Sequence, residues 1–187
     1  MRRKQRKQPV LLTWRDVIAL IESVKLAEEV KPSQQAKRDV FKKFGILGSR
    51  KDPPLTAIFY RIMIRQGILD NIITELTGVK SPLLLDAYLR AALRVFIELE
   101  VFSRDKIRYD NPFKVRRKVS ALLSKRAHPY AGMWFWDITF KLRDYSLQPK
   151  SEEEKLMYEY LLPKWFIRKM TELLDPKEAE ELFKALN

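Results

Sequence analysis

Apolar residues recur at spacings of three and four along nearly the whole chain, the signature of helices packed on one face. The pattern predicts a first helix from Thr13, where Thr13 and Asp16 form a loose capping pair. Its apolar stripe runs through Trp14, Val17, Ile18, Ile21 and Val24. A second helix is expected from a Ser33 cap to about Phe44, with Gly45 free to take the left-handed conformation. Residues 48–54 read as a loop, and Pro54 suits a helix start because its missing amide hydrogen is harmless there. Helices over 55–66 and 68–77 follow, the latter stopped by Gly78. The longest helix is expected from Ser81-Pro82 to about Phe102, with Leu85, Leu89, Ala92, Leu93, Phe96 and Leu99 facing inward. After a polar loop over 104–111, Asn111-Pro112 opens a helix whose buried side is Val115, Val119, Leu122 and Leu123. Pro129 separates it from an aromatic-rich helix over 130–145. Three more helices are expected over 151–162, 163–174 and 175–185. No alternating strand pattern and no internal repeat is visible, so the fold class is all-α.

Composition narrows the picture. At 187 residues the chain is large enough for a core that needs no covalent staples, and it contains no cysteine. With no apolar run near the ~18 residues of a membrane span, and a basic N-terminus that lacks an apolar stretch, a cytoplasmic protein is expected. The formal net charge is +13, and residues 151–187 carry nine acidic against six basic side chains, so residues 1–150 hold +16. A field of that sign favours polyanions, nucleic acid first and an anionic membrane surface second. The expected organisation is a basic flexible arm (1–12), a helical body (13–145) and C-terminal helices (146–187).

Several segments carry a resemblance. Near the C-terminus stand Leu162-Pro163-Lys164-Trp165-Phe166-Ile167-Arg168-Lys169, Glu178-Ala179-Glu180-Glu181-Leu182 and Phe183-Lys184-Ala185-Leu186-Asn187. Upstream are Arg65-Gln66-Gly67-Ile68-Leu69-Asp70, Leu84-Leu85-Asp86 with Leu89-Arg90 and Leu93-Arg94, and Tyr130-Ala131-Gly132-Met133 with Lys141-Leu142-Arg143. In order and spacing these resemble the N-terminal domain of the Fmu/Sun-type RNA cytosine-5 methyltransferases. Trp136-Asp137 departs from that family's valine-asparagine, and its proline-histidine-alanine-alanine stretch is missing near 105–120. The resemblance implies a NusB-like bundle of about seven helices in two sub-bundles. C-terminal linker helices would join it to a methyltransferase that uses S-adenosylmethionine. It also implies RNA binding through a basic N-terminal region and a possible protein partner.

The chemistry in the chain itself is that of binding. Cytosine-5 methylation requires a thiolate nucleophile, which a chain without cysteine lacks, and five glycines hardly build a phosphate- or nucleoside-cradling turn. The chain alone is therefore expected to be no enzyme and to hold no cofactor or metal; S-adenosylmethionine would belong to a catalytic domain joined in cis or in trans. His128, the lone histidine, reads as structural, and Glu152-Glu153-Glu154 as a solvated first helical turn. Candidate contacts to rRNA or tRNA are Arg2, Arg3, Lys4, Arg6 and Lys7 in the arm, and Arg61 and Arg65 one turn apart. Lys114, Arg116, Arg117, Lys118, Lys125 and Arg126, on the outer side of their helix, complete the set. Asp86, Arg90, Arg94 and Glu98 follow at four-residue steps, a spacing that favours a ladder of ion pairs within one helix over RNA contact. Trp134, Phe135, Trp136 and Phe140 offer stacking surfaces, although such a helix more often faces the core. The competing class is a free-standing NusB-type adaptor that holds a protein partner in transcription or ribosome assembly.

Overall fold

The computed structural model describes residues 9–186. Ten α-helices are found among them, 71% of the described residues are helical, and the fold is all-α. The helix α1 (Trp14–Glu29) begins where its cap predicts. The Asp16 carboxylate accepts from the Thr13 amide and hydroxyl, both at 2.7 Å, while the Asp16 amide donates to Thr13 Oγ1 at 3.4 Å. The chain continues through α2 (Ser33–Lys43), α3 (Asp52–Ile64) and α4 (Gln66–Thr77), which ends on Gly78 at φ 73°. Helix α3 starts three residues before the expected point, because Asp52 accepts from the Gly48 amide at 2.8 Å and from Thr56 Oγ1 at 2.8 Å, closing the loop onto the first turn.

The expected long helix is divided. Pro82–Leu84 forms a single 3-10 turn capped by Ser81, Leu85 is extended, and Asp86 caps a new helix, α5 (Ala87–Ile97), by accepting from the Tyr88 amide at 2.8 Å. The last turn then widens into a π-helix over Glu98–Phe102. Every residue from Leu89 to Leu99 is buried, which makes α5 the axle of the body. Helices α1, α4, α6 (Pro112–Arg126) and α7 (Ala131–Lys141) pack around it.

The polar loop expected over 104–111 contains a strand. β1 (Val10–Leu12) and β2 (Ile107–Tyr109) pair in parallel, Val10 opposite Ile107, with the Val10 amide donating to the Lys106 carbonyl at 2.8 Å and the Asp110 amide to the Leu12 carbonyl at 3.0 Å. The three C-terminal helices α8 (Glu152–Tyr160), α9 (Lys164–Leu173) and α10 (Pro176–Leu186) gather around Tyr160, Phe166, Ile167 and Phe183. Asn71 on α4 ties this layer to the body by donating to the Tyr158 hydroxyl at 3.3 Å. No helix among the described residues is long and apolar enough to cross a membrane.

Candidate nucleic-acid interface

The cations of the body divide into two populations, and the first is committed to carboxylates. Arg61 and Arg65 do share one side of α3, as their spacing requires, but both point at Glu98. Arg61 Nε lies 2.9 Å from Glu98 Oε1, and an Arg65 amino group lies 3.0 and 2.9 Å from its two oxygens. Glu98 is fully buried and also accepts from Ser103 Oγ at 2.8 Å, so drawing both arginines off to phosphates would leave a buried carboxylate without its counter-charge. The expectation that these two contact RNA is corrected accordingly. Arg65 further lies over the Phe102 ring at 4.9 Å.

Arg90 and Arg94 are held structurally, but by partners from other helices. Arg94 bridges Asp70 on α4 (2.6 and 2.8 Å) and Glu28 on α1 (2.6 Å), and Arg90 donates to both Glu28 oxygens. The ladder within α5 does not form, because Asp86 caps the helix and Glu98 serves α3. Burial pushes the Glu28 carboxyl up, but the Arg90 hydrogen bond and the charges of Arg94 and Arg90 outweigh it and hold the group below the usual glutamate range.

Arg116 requires a second correction. It is buried rather than on the outer side of α6, and its guanidinium donates to Glu100 at 2.6 and 2.8 Å. Tyr109 completes the cluster by donating to Glu100 at 3.2 Å. Burial pushes both the Glu100 carboxyl and the Tyr109 phenol up, the latter strongly.

The second population is different. Lys114, Arg117, Lys118, Lys125 and Arg126 are all exposed on α6, and none has a carboxylate within ion-pairing distance among the described residues. Val115, Val119 and Leu123 anchor the opposite side of the helix, and Asn111 Oδ1 caps it by accepting from the Lys114 amide at 2.8 Å. Lys118 Nζ lies 5.3 Å from the Trp14 ring centre. Lys106 and Arg108 on one flank and Lys141 and Arg143 on the other are also exposed, likewise without carboxylate partners among the described residues. Arg2, Arg3, Lys4, Arg6 and Lys7 lie outside the described residues.

Helix α7 lies hard against α6. A Cβ on Gly132 would sit 2.5 Å from both the Ser120 carbonyl oxygen and Ser124 Oγ, and Ser120 Oγ donates to the Gly132 carbonyl at 2.9 Å. Of the α7 aromatics, Phe135 enters the core, edge-on to Phe96 at 4.7 Å. Trp134 and Phe140 remain 50% and 46% exposed, so the core-facing reading of this helix holds for Phe135 and not for these two. Phe113, at 65% exposure, meets half-buried Trp136 edge-on at 5.7 Å. Trp136 lies 6.3 Å from Phe140, whose face carries the Arg143 guanidinium at 4.7 Å. A cavity of about 560 Å³ opens among these groups, lined also by Asp110, Asn111, Pro112 and Arg116. A second, more apolar groove of about 570 Å³ runs from Leu84, Leu85 and Leu89 to Tyr130, Met133 and Trp134. His128 closes the turn beside it, its Nδ1 accepting from the Tyr130 amide at 3.3 Å. Among the described residues no group of three or more His, Asp or Glu side chains is arranged to hold a metal.

No protein-family model and no curated protein sequence matches the chain. Among solved structures, PH0851 is similar: TM-score 0.82 and 39% identity over 96% of this chain. The chain spans 40% of the length of PH0851.

Proposed function

We propose that the chain is an RNA-binding domain that presents rRNA or tRNA to an S-adenosylmethionine-dependent cytosine-5 methyltransferase whose catalytic part lies outside it. The observation that carries the reading is the outer face of α6. There Lys114, Arg117, Lys118, Lys125 and Arg126 stand exposed without carboxylate partners among the described residues, on a protein of net charge +13. Cations that no internal acid neutralises are available to phosphates, and their binding releases condensed counterions. The methyltransferase half of the reading rests on the resemblance of residues 162–187 and of the segments upstream, and a match to 40% of a longer protein is in keeping with it. In this reading the methyl transfer itself belongs to the catalytic part, since cytosine-5 methylation uses a thiolate nucleophile and this chain has no cysteine.

The test is a fluorescence-anisotropy titration against structured tRNA, single-stranded RNA and duplex DNA at low and physiological salt. RNA should be preferred, and the preference should persist at physiological salt. Replacing the five α6 cations by glutamine should flatten the log–log salt dependence on single strands by ~0.7 for each phosphate that is no longer neutralised. Unchanged affinity and slope in that variant would exclude α6 as the binding surface.

A second reading, an adaptor for a protein partner, is favoured by the apolar groove between Leu84 and Trp134, which are 71% and 50% exposed. Capture of a partner that survives nuclease treatment, and is lost in Trp134→Ser, would select it.

A further inference from the structure

We infer that the cavity between the start of α6 and the end of α7 is a stacking site for an unpaired base of single-stranded RNA. The inference rests on the RNA-binding reading and adds to it which form of RNA the domain selects. Phe113, Trp136 and Phe140 line one side of the cavity at centroid spacings of 5.7 and 6.3 Å, and Phe113 and Phe140 leave 65% and 46% of their surface to water. Neither Phe113 nor Phe140 belongs to the hydrophobic core, so the body's own packing leaves these ring faces open. Arg143 supplies a planar guanidinium already seated on Phe140 at 4.7 Å. Aromatic faces and arginine planes are the two surfaces on which unpaired bases stack, and duplex RNA, with its bases already stacked, cannot use them.

The surroundings choose among possible occupants. Lys114 follows Phe113 directly and Arg117 lies one turn further along α6, both exposed and without carboxylate partners among the described residues. A base placed on Phe113 thus carries its own phosphates towards two free cations. An apolar protein side chain would match the rings but would leave those charges unanswered. The cavity also offers polar edges. Asn111 uses its carbonyl oxygen to cap α6, which leaves its amide nitrogen as a donor. Asp110 accepts from the Asn111 amide at 2.7 Å through one oxygen, which leaves the other as an acceptor. Asp110 is the one carboxylate among the residues lining the cavity.

The test compares a hairpin RNA with an unpaired loop against a fully paired RNA of equal length, using the full chain and its Phe113→Ala, Phe140→Ala variant. Losing the stack of one base weakens binding of a single strand by roughly five- to 150-fold. The double variant should therefore lose about ten- to hundredfold on the loop RNA and less than about twofold on the paired RNA, with an unchanged salt slope. Both rings are exposed, so circular dichroism should show the fold intact. Should it not, a loop carrying 2-aminopurine reports on the unaltered protein: quenching on binding is expected, and unquenched fluorescence in the complex overturns the stacking site. Equal losses on both RNAs, or none, overturn it as well. If the α6 glutamine variant loses affinity while the phenylalanine variant does not, stacking alone fails. If the unaltered chain binds neither RNA, the RNA-binding reading fails with it. Loss of a nuclease-resistant protein partner in the double variant, with RNA affinities unchanged, would assign the cavity to protein docking instead.

Discussion

Two sides of the same body use arginine and lysine in opposite ways. On the α3–α4–α5 side, Arg61, Arg65, Arg90 and Arg94 each meet a carboxylate from another helix, and Glu98 and Arg94 are almost wholly removed from solvent. On the α6–α7 side the exposed cations have no such partner among the described residues, and the neighbouring rings face water. The difference teaches that positive charge in this chain is not one property. Where a carboxylate has been supplied, the cation ties helices together; where none has, the protein carries an open positive surface whose cost in self-repulsion a polyanion would relieve.

The sharpest way to break the contrast is to delete a tie. Arg94→Met should destabilise the fold by about 3 kcal/mol, at the low end for a broken buried pair because Glu28 and Asp70 keep some access to water. Urea denaturation measures it, and RNA affinity of the folded protein should be unaltered. Next in size is Gly132→Ala, whose methyl must displace the Ser120 carbonyl, a cost of about 1–3 kcal/mol. It should also weaken RNA binding by shifting α7 relative to α6. Replacing Lys114, Arg117, Lys118, Lys125 and Arg126 by glutamine should do the reverse, changing stability by no more than about 0.5 kcal/mol per site while removing most RNA affinity. The smallest effect is in pH. Glu28 has its folded pKa held below the ordinary value of 4.5, so its stabilisation is present above that value and is lost as pH falls below it through the folded value. Glu28→Gln should flatten that acid limb of the stability curve. Glu100 has the opposite sign: its raised pKa adds stability at low pH that is lost as pH rises through the raised value.

The helices are legible in the sequence because their starts are chemically local: Thr13, Asn111 and Ser151 each cap the helix that their sequence context announces. Ser33 begins its helix without capping it, since Pro32 holds the cap position. What escapes such reading is set at long range. Three-residue strands are too short to show alternation, and β1 finds its partner almost a hundred residues away. The four-step spacing of Asp86, Arg90, Arg94 and Glu98 suggests pairs inside one helix, but Glu28, Asp70, Arg61 and Arg65 compete successfully from outside it. Residue type alone points Arg116 outward, although it stands two helical turns before buried Leu123, at the edge of the buried stripe, and so turns towards Glu100. Trp134 and Phe140 are harder still, because apolar character alone does not say whether a ring meets a core or waits for a ligand.

The parallel pair β1–β2 joins two helix starts that are almost a hundred residues apart in sequence. The Val10 amide reaches the Lys106 carbonyl at 2.8 Å and the Asp110 amide reaches the Leu12 carbonyl at 3.0 Å. Leu12 stands directly before Thr13, the cap of α1, and Asp110 directly before Asn111, the cap of α6. Two short strands thereby sew the start of one helix to the start of the other, and a pull on either is passed to its neighbour.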